Sequence, residues 1–256
     1  MKEQRVNRLG GLCILMSVCL LLMTSAGCSA PDHFKVYDVD SLETQPFRVR
    51  LTDQFSPQQK DARVMTLTHF ANPVAKTPVG GSPAKIRNKH AHLTWYRLQQ
   101  QQPEPRRTVR FKNQFGQHSV DIRQPRYLLV PAEKKSDPDS QFPKKLDHYK
   151  CYDIIKVNVF PGAPLVSLED QFGVQNNVQI DEPVLFCLPV VKEREGEEPQ
   201  RIKDKRNHLA IYPITPEGSD KQISVQDQFG ERDLVTRRGV FLCVPTTKQV
   251  FVTHND

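Results

Sequence analysis

The sequence predicts an all-β protein built from four internal repeats of about 40 residues, each with three to four strands. A phrase of an acidic or amide residue, glutamine and phenylalanine recurs four times, as LTDQFSP, FKNQFGQ, LEDQFGV and VQDQFGE. Apolar residues around each phrase alternate with polar ones, which is the period of a half-buried strand. Twenty prolines in 256 residues favour many short elements over long helices.

Each copy of the repeat opens with H-x-x-x-Y, continues to its DQF phrase and closes on P-x-x-K. The opening pairs are His33 and Tyr37, His92 and Tyr96, His148 and Tyr152, and His208 and Tyr212. The closing pairs are Pro73 and Lys76, Pro131 and Lys134, Pro189 and Lys192, and Pro245 and Lys248. Copies one to four therefore run over 33–76, 92–134, 148–192 and 208–248. The constant order of these landmarks indicates one duplicated unit.

The opening strand of each copy is expected to have its apolar residues one and three positions after the histidine. These residues are Phe34 and Val36, Leu93 and Trp95, Tyr149 and Cys151, and Leu209 and Ile211. Alternate residues of a strand share a face, so each pair should point into a core. A second strand follows the same rule with Val49 and Leu51, Val109 and Phe111, Val166 and Leu168, and Ile223 and Val225.

The closing strand is apolar on both faces, as in YLLVP, LFCLP and FLCVP, which predicts a strand buried on both sides. The phrase itself predicts the end of a strand, a turn and a phenylalanine that fills the core. Its acidic or amide residue can accept hydrogen bonds from turn amides, and its glycine can adopt a positive φ. Copy one has Ser56 and Pro57 instead of the glycine, so its turn should differ. The four phenylalanines are Phe55, Phe115, Phe172 and Phe229.

A single copy buries too little apolar surface to fold alone, so the copies should pack on one another. We favour two β-sandwich or barrel-like domains, 32–134 and 147–248, joined by a charged linker at 135–146 and followed by a C-terminal tail at 249–256. The alternative is a small propeller with four blades.

The first 27 residues have the order of a secretory signal peptide. Lys2, Arg5 and Arg8 precede an uncharged apolar stretch over 12–23, and small residues lead into Cys28. Ser25-Ala26-Gly27-Cys28 resembles the lipobox of bacterial lipoproteins, with serine where leucine is commoner. The resemblance implies palmitate-type acylation of Cys28, a tether at 28–31 and membrane anchoring at the cell envelope. Ser29 favours the outer membrane, whereas cleavage after Ala26 or Ala30 by an ordinary signal peptidase would leave no anchor.

Export permits disulfides, and the mature chain keeps Cys151, Cys187 and Cys243 besides Cys28. Only copy three has cysteine in both its opening and its closing strand, which predicts a Cys151–Cys187 bridge. Such a bridge should stabilise the fold by roughly 3–4 kcal/mol. Cys243 is then a buried free thiol; a bridge between copies is the alternative.

Basic residues are concentrated in copy two. Residues 82–134 contain eleven Lys and Arg against three Asp and Glu. Arg106, Arg107, Arg110 and Lys112 form a predicted anion-binding patch for an envelope polymer, lipopolysaccharide phosphates or an acidic envelope protein. Nucleic acid is not an expected partner, because the exported chain does not interleave basic and aromatic residues.

No catalytic, cofactor or metal motif is present. The sequence has no G-x-S-x-G, H-E-x-x-H, P-loop or C-x-x-C pattern. Each opening histidine is alone in its copy, and each phrase offers too few oxygens for calcium. We therefore expect no catalytic residues, no cofactor and no metal.

The combined signature H-x-K-C-Y, D-Q-F-G and L-C-x-P-x-x-K resembles a family of secreted bacterial β-repeat domains of unknown function. HYKCY, DQFG and FCLPVVK of copy three and DQFG and LCVPTTK of copy four carry the resemblance. Copies one and two lack both cysteines, so the resemblance is clearest over 147–248. It implies an exported, disulfide-linked β module without implying an activity.

Three functions remain open. The first is a non-enzymatic, lipid-anchored envelope protein with a binding or scaffolding role. The second is a carbohydrate- or peptidoglycan-binding module, which would need exposed aromatic platforms although the single tryptophan, Trp95, is expected in the core. The third is an enzyme with a site between repeats, identifiable by a deep pocket with clustered ionisable groups.

Overall fold

The computed structural model describes residues 31–42 and 45–254, and every regular element in this part of the chain is a β-strand. The strands are β1 (His33–Leu42), β2 (Phe47–Thr52), β3 (Lys60–Pro78), β4 (His92–Gln100), β5 (Arg107–Asn113), β6 (Gly116–Lys134), β7 (Tyr149–Val159), β8 (Val166–Asp170), β9 (Gly173–Val178), β10 (Leu185–Pro189), β11 (Val191–Glu193), β12 (His208–Asp227) and β13 (Gly230–Thr253). The described residues include no helix with the length and apolarity needed to cross a bilayer. The all-β prediction is confirmed.

Among the described strands, eight follow one another as antiparallel neighbours in a closed succession. The order is β1, β3, β4, β6, β7, β10, β12 and β13, and β13 pairs again with β1. The opening strand of each copy lies between its own closing strand and the closing strand of the preceding copy. Copy four precedes copy one in this sense, because Phe34 of β1 lies opposite Cys243 of β13.

One core cluster lies on the inner face of these opening strands. All eight residues predicted to face a core from the opening strands belong to it: Phe34, Val36, Leu93, Trp95, Tyr149, Cys151, Leu209 and Ile211. The closing strands contribute Ala71, Leu129, Cys187 and Cys243 to the same cluster. The alternating apolar residues of all four opening strands therefore pack into one common core.

The opposite face of the same strands is also buried. There two further clusters contain the second strands, the DQF phrases and three of the four opening tyrosines, Tyr96, Tyr152 and Tyr212. One includes Phe55 and Phe115, and the other includes Phe229 with Phe172 packed against it. Burial on both faces explains why the closing strands are continuously apolar.

The phrases of copies two to four form tight hairpins in which glycine is required. Asn113 lies opposite Gly116, Asp170 opposite Gly173 and Asp227 opposite Gly230. These glycines have φ values of 112°, 141° and 120°, a region that a side chain disfavours. Copy one instead closes its turn with a hydrogen bond from the Asp53 amide to the Ser56 carbonyl.

Hydrogen-bonded strands cross the boundary predicted between 32–134 and 147–248. β1 pairs with β13, β6 with β7 and β5 with β13, so the sheet is continuous between the two ranges. The physical reason is that each opening strand has two edges to satisfy, and the second neighbour comes from the next or preceding copy. The segment 135–146 contains turns and no strand, whereas 249–253, predicted as a tail, continues β13 along β5.

Candidate functional site

The acidic or amide residue of each DQF phrase accepts a hydrogen bond from the backbone amide of the phenylalanine two positions later. The distances are 2.7 Å at Asp53, 2.9 Å at Asn113, 2.8 Å at Asp170 and 2.7 Å at Asp227. One oxygen therefore stabilises the turn in all four copies, and the remaining oxygen or amide is free to contact another part of the chain.

That second atom contacts the opening tyrosine of another copy, and in every case one copy lies between the two in the sequence or in the closed order of strands. Tyr152 donates to Asp53 at 2.7 Å, Tyr37 to Asp170 at 2.8 Å and Tyr96 to Asp227 at 2.6 Å, whereas the Asn113 amide donates to Tyr212 at 2.7 Å. The phrase phenylalanine packs edge-on against the same tyrosine in every case, with ring centroids 5.0–5.5 Å apart. Each phrase thus fixes two distant copies to each other.

The lysine of each closing P-x-x-K motif lies over the phenylalanine of the following copy. The ammonium-to-ring distances are 4.7 Å for Lys76 and Phe115, 5.5 Å for Lys134 and Phe172, 5.0 Å for Lys192 and Phe229, and 5.2 Å for Lys248 and Phe55. Burial lowers the pKa of Lys76 and of Lys192 to about 8. The contact is a cation–π interaction that offsets part of the desolvation.

The residue two positions after the opening histidine supplies a donor to the phrase carboxylate in copies two and three. Lys150 lies 3.3 Å from Asp53, and the Thr94 hydroxyl donates to Asp227 at 2.7 Å. The equivalent residue in copy four is Ala210, and Tyr212 of that copy contacts the neutral Asn113. The two phrase carboxylates, Asp53 and Asp227, therefore each have such a donor, and the neutral Asn113 has none.

Copy three extends this contact into a buried ionic cluster centred on Glu104. Lys60 donates to Glu104 at 2.8 Å and Arg107 at 3.2 Å, and Lys150 lies 3.7 Å away. Burial alone would raise the pKa of Glu104, but hydrogen bonds from Lys60, Gln100 and Ser56 and the charge of Lys150 lower it to about 2.

The side chains of Asp53, Glu104 and Lys150 have no exposed surface, so solutes do not reach these ionisable groups. Sequence reasoning missed this cluster. Its signal is the lysine two positions after the opening histidine.

The four opening histidines are dispersed over the structure and are held neutral. His33 contacts Gln114 and His148 contacts Gln228, while His208 contacts the Arg206 carbonyl. Burial lowers the pKa of His33 to about 4, that of His92 to about 3 and that of His208 to about 4. Within the described ranges, no group of three or more His, Cys, Asp or Glu could hold a metal ion.

Cys151 and Cys187 form a disulfide between directly opposed residues of β7 and β10. The predicted bridge is confirmed. Cys243 is a buried free thiol in the same apolar cluster, and burial raises the pKa of this thiol well above its usual value. Trp95 is fully buried, so it cannot serve as a platform for a sugar ring. Cys28 lies outside the described residues.

The predicted basic patch is divided by the strand alternation of β5. Arg107 points inward, where its guanidinium binds Glu104 and donates to the Phe55 carbonyl at 2.8 Å, so it is not part of an exposed patch. Arg106 is half-exposed and lies 3.9 Å from Asp121. Arg110 and Lys112 are exposed, and neither has an ion-pair partner among residues 31–42 and 45–254.

The outer face of β5 continues over its neighbouring strands. Val250 of β13 lies opposite Arg110, which lies opposite Ser119 of β6, and Ser119 in turn lies opposite Val159 of β7. Residues that are directly opposite on paired strands share a face. Arg110 and Lys112 of β5 therefore share an exposed face with Val250 of β13 and Val159 of β7.

A family model described as "Repeat of unknown function (DUF7450)" matches residues 92–245, which is more than half of the chain. The match begins at the opening histidine of copy two and ends at the closing proline of copy four. Comparisons with curated proteins and with solved structures found no match.

Proposed function

Because the chain belongs to the family of DUF7450 repeats, whose function is unknown, we propose a role from its own surface. The protein is a non-enzymatic, lipid-anchored component of a bacterial cell envelope. It binds an anionic envelope polymer or envelope protein, or scaffolds such a partner, through the exposed cations of copy two.

The observation that carries this proposal is the contrast between buried and exposed charges. The ionisable groups that resemble a catalytic cluster, Asp53, Glu104 and Lys150, are closed off from solvent and neutralise one another. Arg110 and Lys112, in contrast, are exposed on a regular strand without partners in the described chain. Unneutralised cations on a rigid surface favour binding of anions over chemistry on a substrate.

We infer that the four copies form one closed unit. The recurrent phrase-to-tyrosine contacts join copy one to copy three and copy two to copy four. The lysine-to-phenylalanine contacts join each copy to the next, including copy four to copy one. These two sets of contacts favour a single closed arrangement over two separate paired domains.

The anchor part of the proposal is supported by the sequence before the described fold. A positive segment, an apolar stretch and Ser25-Ala26-Gly27-Cys28 stand in the order of a lipoprotein signal. Several acyl chains on Cys28 would hold the protein on the membrane stably. Ser29 supports placement in the outer membrane.

Metabolic labelling with a palmitate analogue tests the anchor. We expect the wild-type chain to carry the label and to fractionate with membranes, whereas Cys28→Ala carries none. Equal labelling of both chains would exclude Cys28 as the acylated residue.

The binding role is tested by retention of partners from detergent-solubilised envelopes on the immobilised mature chain. We expect an anionic component to be retained by wild type and lost from an Arg110→Glu, Lys112→Glu variant. Lys144→Glu, Lys145→Glu is the matched control, because both lysines are exposed in the turn segment between β6 and β7. Equal retention by all three chains would rule out the β5 cations as the binding surface.

A further inference from the structure

The described chain begins at the same edge of the fold as the exposed cations of β5. Pro31 lines a surface cavity together with Lys112, Thr247 and Lys248. Thr247 is also the strand partner of Lys112. The start of the described chain is therefore adjacent to the C-terminal end of β5.

Only Ser29 and Ala30 lie between Cys28 and Pro31, so three Cα-to-Cα steps join the two residues. An extended chain spans at most about 3.6 Å per residue, so acyl chains on Cys28 would enter the bilayer within about 11 Å of this edge. The membrane position rests on the lipid anchor of the proposed function. A tether this short restricts which surface can face the headgroups.

The surface next to this edge combines positive charge with exposed apolar side chains. We define the β5 face as Arg110, Lys112, Lys156, Val159, Val250 and Val252. Val250 and Val252 are 51% and 53% exposed and lie opposite Arg110 and Thr108, and Val159 is 52% exposed at the other side of the same row. The valines and the basic residues therefore lie in adjacent rows of one exposed face, so a ligand on this face meets both kinds of side chain.

The one acidic side chain within these rows is already bound. Asp121 lies opposite Thr108 and Lys156, and accepts hydrogen bonds from Thr108 and Asn158 at 2.8 and 2.9 Å. It also lies 3.9 Å from Arg106. These donors compensate the negative charge of Asp121, so the β5 face keeps a net positive charge towards a ligand.

The other edge of this part of β13 is open. Residues 247–253 pair with β5 on one side, and the pairing with β12 ends at Thr246. Within the described strands no other neighbour pairs with Val250, Phe251 or Val252. The valines at this edge can therefore enter the interfacial region of a bilayer without displacing a strand.

We propose that the β5 face docks on the anionic lipid surface of the membrane that carries the anchor. Arg110, Lys112 and Lys156 would bind lipid phosphates, and Val159, Val250 and Val252 would enter the boundary between headgroups and acyl chains. The short tether holds this face at the surface, so the protein has one fixed orientation on the membrane.

Sedimentation with lipid vesicles tests the docking in the absence of acylation. The mature chain from residue 28 with Cys28→Ala is mixed with vesicles of phosphatidylcholine alone or with added phosphatidylglycerol. We expect binding to the anionic vesicles, little binding to the neutral ones, and release as salt is raised. Equal binding to both vesicle types, or to neither, would overturn the proposal.

Variants assign the binding to the β5 face. Each basic residue near an anionic surface contributes about a fivefold gain in affinity, so Arg110→Glu, Lys112→Glu should bind at least about tenfold more weakly. Val250→Ser, Val252→Ser should also bind more weakly, and Lys144→Glu, Lys145→Glu should bind as wild type does. Circular dichroism and thermal melting confirm that each variant is folded. Unchanged binding by both β5-face variants contradicts the proposal.

A competition arm separates a bilayer from another polyanion. Soluble polyphosphate is added as the competitor. If it binds the chain as well as anionic vesicles do, and Val250→Ser, Val252→Ser does not weaken that binding, the ligand of the β5 face is an anionic polymer and the lipid proposal is wrong. The vesicle assay uses a chain without acyl groups, so its failure would contradict the docking of the β5 face and would leave the anchor untouched. Absence of palmitate labelling would contradict the anchor and would leave the vesicle result untouched.

Discussion

The hydroxyl of Tyr152 donates a 2.7 Å hydrogen bond to the carboxylate of Asp53, although the two residues are 99 positions apart. The same oxygen of Asp53 lies 3.3 Å from the Lys150 ammonium, and the other oxygen accepts from the Phe55 amide. One carboxylate thus holds a turn of copy one and a strand of copy three together. Because equivalent contacts occur in every copy, the stability of the fold should depend strongly on these residues.

Asp227→Ala should lower the free energy of unfolding by about 3 kcal/mol, because it leaves buried donors without an acceptor. Asp227 accepts from Phe229 at 2.7 Å, Tyr96 at 2.6 Å and Thr94 at 2.7 Å. Asp227→Asn should cost less, since copy two has Asn113 at this place. Denaturant unfolding measures both, with the exposed Asp233→Ala as the control. A loss no larger than that of the control would show that the phrase does not fix the copies.

Lys192→Met should raise the free energy of unfolding at pH 7 by about 1–3 kcal/mol, because it removes a desolvated charge. The Lys192 ammonium is fully buried over Phe229 and has no hydrogen-bond partner in the described chain. Lys144→Met, at an exposed site, is the control. Destabilisation by Lys192→Met would mean that the cation–π contact outweighs the desolvation.

The contribution of Lys192 to the free energy of unfolding should change with pH in a direction that its pKa determines. Burial lowers the pKa of Lys192 from 10.5 to about 8. Between these two values the unfolded chain binds the proton more tightly than the folded chain does, so stability rises with pH in this window. The advantage of Lys192→Met over wild type should therefore shrink between pH 8 and 10. An advantage that is constant over that range would contradict the buried, charged state of Lys192 at pH 7.

Glu104→Gln should destabilise the fold by about 3 kcal/mol at pH 7, because Lys60, Arg107 and Lys150 would lose their shared counter-charge. The hydrogen bonds and charges around Glu104 lower its pKa from 4.5 to about 2. Its contribution is complete above pH 4.5 and disappears as the pH falls through 2. Acid titrations of wild type and variant should converge below pH 2, with the exposed Glu198→Gln as the control. Parallel titrations would exclude a charged Glu104.

Replacing both bridged cysteines, as Cys151→Ala with Cys187→Ala, should cost about 3–4 kcal/mol of stability, since the bridge closes a long loop. Cys243→Ala keeps the bridge and should cost about 1 kcal/mol for the lost volume. Urea unfolding provides both values. Peptide mapping without reduction should find Cys243 free, and a mapped bridge to Cys243 would contradict this pairing.

The local structure of each copy could be predicted from the sequence because strand alternation records which face is buried. Phe34 and Val36, like their equivalents in the other copies, lie in one core cluster as predicted. The Cys151–Cys187 bridge followed from the same register. Local periodicity is sufficient where the partner of a residue is simply the apolar interior.

The contacts between copies could not be predicted in this way, because periodicity does not say which copy lies opposite. Tyr152 and Asp53 each occur in a recurring motif, yet nothing near either residue identifies the other as its partner. The sequence predicts Arg107 in an exposed patch, because charge alone does not reveal which face of the strand a residue occupies; in the structure it faces Glu104. The sequence predicts a tail at 249–256, because an apolar run after the closing proline does not show which strand it pairs with; Val250 and Val252 instead continue β13 along β5.

The pairing of β1 with β13 has a consequence for how the chain becomes folded. Phe34 meets Cys243, which the ribosome adds more than two hundred residues later. Until that last strand emerges, β1 lacks the neighbour on one of its edges and the central core remains open. Completion of the native state is therefore post-translational, and a chain that terminates early at its carboxyl end would present a bare strand edge to other unfinished chains.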